Sequence, residues 1–145
     1  MITVRLATTN MEKCNSRHVR RRVFVDEQGV SPKVELDVCT DVYCDHYIAV
    51  TDAGEVIGAA RGYGCEGSIY KVERVAVLRE WRGQHVGEQL MRCIEKVARK
   101  QAFQRTLLNA QLRALRFYLS QEYIPFGHAF QQEGIIHIGM KKRLN

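Results

Sequence analysis

The sequence predicts an α+β domain built on one mostly antiparallel, mixed sheet flanked by helices, and three observations carry that expectation. Two short apolar runs, Tyr47-Ile48-Ala49-Val50 and Val56-Ile57-Gly58-Ala59-Ala60, flank the turn signal Asp52-Ala53-Gly54-Glu55, the pattern of a β-hairpin. Apolar residues at Val86, Leu90, Ile94, Val97 and Ala98 keep helical spacing with one face to bury, directly behind a glycine-bearing turn. The 145 residues hold no linker, internal repeat or low-complexity tract, so residues 1–145 are expected to form one domain.

The elements follow in order. Residues 2–7 alternate apolar and polar side chains and read as a first strand rather than as an export signal. Thr8-Thr9-Asn10 offers capping side chains for a helix running through Val19 and Val23. That helix carries Arg17, Arg20, Arg21 and Arg22, which read as a solvated face. Gly29, Ser31 and Pro32 end it, and the acidic, weakly periodic stretch up to Asp45 reads as a loop with a short helix, placed to line a substrate site. After the hairpin, residues 68–78 form a third strand. Beyond the helix that starts at Val86, Thr106-Leu107-Leu108-Asn109-Ala110 is a strand and residues 114–119 a helix. Residues 135–140 are a last strand, reached through a loop that holds Gly127 and Gly134.

With 46% apolar and 26% charged residues, the composition is that of a globular protein, and no apolar run approaches the ~20 residues of a membrane span. A cytoplasmic protein without a membrane partner is expected. Cys14, Cys39, Cys44, Cys65 and Cys93 are odd in number and form no C-x-x-C pair, which predicts reduced thiols. Cys39 and Cys44 with His46 lack the second ligand pair of a structural zinc site, so no metal is expected. A net charge of +6, from 22 basic and 16 acidic residues, suits a polyanionic ligand. A nucleic-acid module would draw on the arginine helix and the Lys141-Lys142-Arg143 tail, but the aromatic platform of single-strand binders is missing, and no nucleic-acid partner is expected.

The turn Arg82-Gly83-Gln84-His85-Val86-Gly87 is the candidate ligand site. A helix N-terminus presents unpaired N–H groups and the positive end of its dipole, and Gly83 and Gly87 let backbone amides approach a phosphate. Arg82 and Arg79 add charge. The spacing is neither a Rossmann fingerprint nor a Walker loop. It resembles the R/Q-x-x-G-x-G/A turn of the GNAT superfamily of N-acetyltransferases, there preceded by a strand like Val75-Ala76-Val77 and followed by a long helix. The chain departs from that pattern at His85, in place of the central glycine, and at Arg79, where many members have proline. The segments Val23-Phe24-Val25-Asp26-Glu27-Gln28, Ala110-Gln111, Ala114-x-x-Phe117-Tyr118 and Gly134-Ile135-Ile136-His137-Ile138-Gly139-Met140 are similar to the ElaA-like subgroup, so the resemblance spans nearly the whole chain.

The resemblance implies an acetyl-CoA-dependent N-acetyltransferase that uses acetyl-CoA as co-substrate and modifies a small-molecule or peptide amine, with a homodimer left open. It places the pyrophosphate on Arg82, Gly83, Gln84, His85, Val86 and Gly87. It puts the pantetheine arm and thioester against the backbone of Val75, Ala76 and Val77, with Ala114 and Phe117 beside the cofactor. Tyr118 matches the tyrosine that protonates the departing thiolate, a role a phenol can fill at neutral pH. The family often follows this helix with Gly-Phe; Glu122-Tyr123 stands here, which predicts a looser helix exit. For the general base the sequence offers Glu27, Glu73, His46 and His137. Glu73 comes first, because two residues before Val75 it shares that residue's face under strand alternation. The acidic residues Glu27, Glu35, Asp37, Asp41 and Asp45 lean towards a cationic acceptor. A CoA-binding sensor without catalysis is the alternative.

Overall fold

The computed structural model describes all residues 1–145. The chain opens with β1 (Ile2–Leu6) and α1 (Asn10–Arg20), which continues directly into a wider, π-helical stretch over Arg21–Glu27. Two short helices, α2 (Pro32–Leu36) and α3 (Val38–Asp41), precede β2 (Asp45–Thr51), β3 (Val56–Cys65) and β4 (Ile69–Val77). A 3₁₀ turn at Arg79–Trp81 leads to α4 (Val86–Lys100), then to β5 (Arg105–Gln111), a 3₁₀ turn at Leu112–Ala114, α5 (Leu115–Ser120), β6 (Ile124–Gln132) and β7 (Ile135–Arg143).

The seven strands form one sheet in the order β1-β2-β3-β4-β5-β7-β6. All neighbours are antiparallel except β4 and β5, the one pair joined through a crossover helix, as parallel pairing requires. α1 and α4 cover opposite faces. Val86, Leu90, Met91, Ile94 and Ala98 bury the apolar stripe of α4, as its spacing predicts. α1 is fixed at its start by a capping box, in which Glu12 N–H donates to Thr9 Oγ1 at 3.1 Å and the Glu12 carboxylate accepts from Thr9 N–H.

Three expectations are corrected. β3 runs on to Cys65, well past the apolar run that ends at Ala60. A Cβ on Gly62 would lie 2.4 Å from the Tyr70 ring, and one on Gly64 would lie 2.4 Å from Phe103, so these glycines seat aromatic rings inside a strand. The segment holding Gly127 is the edge strand β6, with Gly127 (φ 72°) at an irregularity in its pairing with β7. The helix exit after α5 is tight: Tyr123 N–H donates to Tyr118 O at 3.0 Å and Glu122 N–H to Leu119 O at 3.0 Å. Glu122 takes the left-handed conformation at φ 70°, a Schellman closure with glutamate where glycine is usual.

Candidate active site

The parallel ladder between β4 and β5 stops at Val72 and Leu108. Beyond it β4 stays paired with β3 through Val77 and β5 with β7 through Gln111, so the two strands part while each is held by its outer neighbour. On the β4 side a bulge accompanies the parting: Arg61 faces Glu73 and Ala59 faces Ala76, which sets Arg74 and Val75 against the single residue Ala60. Arg74 sits at φ 58°, a left-handed conformation that costs a residue with a side chain on the order of 1–3 kcal/mol. Leu78 N–H donates to Ile57 O at 2.9 Å. Alternation from that bond turns the backbone groups of Val77 and Val75 away from β3 into the split, whereas Ala76 pairs towards Ala59. The extra bulge residue also corrects the expected face of Glu73, which shares the face of Arg61 and Ala76 rather than that of Val75.

At the end of the split stands the N-terminus of α4. The N–H groups of Gly83, Gln84, His85, Val86, Gly87 and Glu88 have no acceptor in the protein, since the first helical bond there is Gln89 N–H to His85 O at 3.1 Å. Gly83 (φ 77°) and His85 (φ 64°) both take left-handed conformations, so His85 follows the path a glycine would take. A turn of free amides with open space at Gly83 fits a pyrophosphate, and the divided strands fit the amides of a pantetheine arm. Arg82 locks the turn in place: Nε donates to Val77 O at 2.9 Å, and Nη2 donates to both carboxylate oxygens of Glu27 at 2.9 and 3.0 Å.

Turn and split open into a cleft of 870 Å³. Every residue expected at the site lines it except Gln84 and the candidate base His46. A Cβ on Gly87 would lie 3.3 Å from Phe117, so that glycine seats the Phe117 ring. The Tyr118 ring is 8% exposed and packs edge-on against Phe117 at 4.9 Å and Tyr123 at 5.9 Å between centroids. Its hydroxyl has no hydrogen-bond partner in the protein, yet it is not sealed from solvent. Burial pushes the phenol well above its ordinary value, which keeps its proton in place.

The face of the sheet towards α1 carries a network of buried charge that sequence reasoning missed. Arg20, fully buried, donates to Glu35 at 2.9 Å and to Asp41 at 2.7 Å. Arg61, also fully buried, donates to Asp41 at 2.9 Å and to Glu73 at 2.9 and 3.1 Å. Arg74 donates to the carbonyls of Glu35 and Val34. Burial pushes the Asp41 carboxyl up, but Arg17, Arg20 and Arg61 outweigh it and hold the group well below the usual range. The arginines of α1 are therefore not all a solvated face, and Glu35 and Asp41 are spent on the chain's own cations rather than left for an acceptor. The one signal in the sequence was the complementarity of a basic helix and an acidic stretch, each of which alone reads as surface. His46, a candidate base, lies outside the cleft; its Nε2 is 3.1 Å from Asp41 O.

Known proteins agree with this architecture. The description "Acetyltransferase (GNAT) domain" matches residues 41–144. YjcF, an uncharacterized N-acetyltransferase of Bacillus subtilis, is 34% identical over 86% of this chain and 88% of its own. Protein ElaA of Escherichia coli is 34% identical over 87% of this chain and 84% of its own. A crystal structure from Lactobacillus plantarum superposes with a TM-score of 0.92 at 24% identity, covering 99% of both chains. With its split strand, its free-amide turn and these relatives, the chain belongs to the GNAT family, is ElaA-like within it, and is an acetyltransferase.

Proposed function

We propose that the cleft transfers an acetyl group from acetyl-CoA to the primary amine of a small molecule or peptide by direct attack on the thioester, within one domain formed by residues 1–145. The observation that carries this reading is the split between β4 and β5 opening beside six free amides at the head of α4. Arg82, Gly83, Gln84, His85, Val86 and Gly87 hold the pyrophosphate, and the backbone of Val75, Ala76 and Val77 lies along the pantetheine arm, with Ala114 and Phe117 as its apolar wall. Acetyl-CoA supplies the activated acyl group. Attack on the carbonyl moves charge onto its oxygen, and a preorganised N–H donor in the split lowers that barrier by about 3 kcal/mol. Tyr118 gives its proton to the leaving sulfur. Glu73 lies at the acceptor side, where its negative charge favours an approaching ammonium. As a proton acceptor it is less well placed, because its two oxygens already accept hydrogen bonds from Arg61 and Tyr63.

Thiol release from acetyl-CoA over a broad amine panel, run beside thermal melts with CoA, tests the reading. CoA at a hundredfold excess over its dissociation constant should stabilise the fold by roughly 2.7 kcal/mol, and at least one amine should release thiol. Stabilisation without turnover of any amine would make the protein a CoA-binding sensor; a flat melt would remove the site. Gly87→Glu should abolish most of the stabilisation, since its side chain meets Phe117 and sets a carboxylate where phosphate must come.

A further inference from the structure

Two histidines line the cleft: His85, whose Nδ1 is 3.0 Å from Glu88 Oε2, stands on the turn read as the pyrophosphate site, and His137, on the acceptor side, keeps a lone pair that the protein does not use. His137 stands on β7, opposite Gln111 of β5 and Phe130 of β6. Its Nδ1 is 2.7 Å from the carbonyl oxygen of Ile135, a partner that only accepts, so in the neutral ring Nδ1 carries the proton and Nε2 the lone pair. The ring stacks on Phe130 with centroids 5.9 Å apart and planes 19° apart, which fixes where Nε2 points. Nε2 has no partner in the protein and is not sealed off, and His137 lines the cleft.

The side of the sheet is also the right one. Directly opposed residues point to the same face, and Gln111 reaches the end of the π-helical stretch beyond α1, donating to Oε1 of its capping residue Gln28 at 2.8 Å. That is the face of Arg61 and Glu73, away from α4. The carboxylates around the cleft are occupied: Glu27 by Arg82, Glu35 by Arg20, Glu73 by Arg61, and Glu88 by Arg92. Glu133, at the exposed turn between β6 and β7, has no neighbour to orient it as Ile135 and Phe130 orient His137.

We infer that His137 Nε2 accepts the proton of the incoming amine, an assignment that rests on the acetyl-transfer reading above. The acceptor arrives as an ammonium, and one proton passes to Nε2, which frees the nitrogen lone pair. The C–N bond then forms while the carbonyl π pair moves to oxygen. When that pair returns, the C–S bond breaks and its electrons leave on sulfur. Sulfur takes the Tyr118 proton, and the second proton shed by nitrogen restores Tyr118. His137 releases its own proton to solvent, so the products are an amide, a free thiol and one proton.

The test compares wild type with His137→Asn and His137→Gln, using the alkylamine and the arylamine that wild type acetylates fastest in the panel. An alkylamine is an ammonium at neutral pH and needs the base; an arylamine is already neutral. Both variants should keep the CoA-induced thermal shift, lose about 10²-fold in kcat with the alkylamine, and lose far less with the arylamine. Undiminished kcat with the alkylamine, or the same loss for both amine classes, overturns the assignment and leaves His137 a packing residue. An inactive wild type overturns the acetyl-transfer reading itself, and this one with it.

Discussion

At the scale of single residues, the site rests on side chains whose sequence context suggests two roles and whose surroundings choose one. Tyr118 has the burial of a core aromatic, but a core tyrosine satisfies its hydroxyl, as Tyr123 does with Thr106 and Glu95 at 2.8 and 2.9 Å. The Tyr118 hydroxyl has no such partner, and the residue lines the cleft. Tyr118→Phe keeps the ring packing and removes only the proton, so CoA affinity should hold while kcat falls by about 10²-fold, the low end for general acid catalysis because a thiolate leaves fairly well unaided. Steady-state kinetics and a CoA titration on one folded sample check this; an unchanged kcat returns the residue to the core. His85 and Glu122 show the limit of residue-level reading. Each stands where the family pattern has glycine, and each adopts the left-handed conformation anyway. Around Glu122 the bonds to Leu119 O and Tyr118 O close the turn, while His85 is held by Gln89 N–H on its carbonyl and by its ring contact with Glu88.

At the scale of elements, strand and helix positions were legible wherever periodicity was local. The cap at Thr9, the hairpin and the apolar stripe of α4 all appear as the sequence predicts. The full length of β3 was not legible, because Gly62 and Gly64 serve packing inside the strand. The ring of Tyr70 lies over Gly62 in β3, while its hydroxyl bonds Tyr47 at 2.8 Å and Asp45 at 2.8 Å. Gly62→Val should therefore destabilise the fold by about 1–3 kcal/mol through overpacking, despite the better strand propensity of valine. Urea denaturation reads the change, and a stabilised variant would mean that β3 and β4 shift apart freely. The bulge at Arg74 is likewise an element-level event. No local signal marks it, yet it sets which backbone groups face the split and turns Glu73 towards Arg61.

At the scale of the whole molecule, the charge network ties α1, α2, α3, β3 and β4 together through Arg20, Glu35, Asp41, Arg61 and Glu73. Its stability should depend on acid in two stages. Burial holds the His46 imidazole below its ordinary value, so the folded chain keeps it neutral, and its contribution is present above about pH 6.5 and is lost as pH falls below that, where the unfolded chain takes up the proton first. Asp41, also depressed, contributes above about pH 4 and loses that contribution as pH falls further. Melting temperature against pH should show both declines, with His46→Gln flattening the upper one alone; a profile unchanged in that variant would place the upper titration elsewhere. The sequence by itself determined the α+β class, the anion-binding turn at the head of α4 and the family, because each is written in contiguous residues whose spacing obeys local geometry. Only the tertiary structure decided the parting of β4 from β5, the neutralisation of the acidic stretch by α1, and the free lone pair of His137. Those depend on which strand lies beside which and in what register, and residues far apart in the chain settle that through packing and charge.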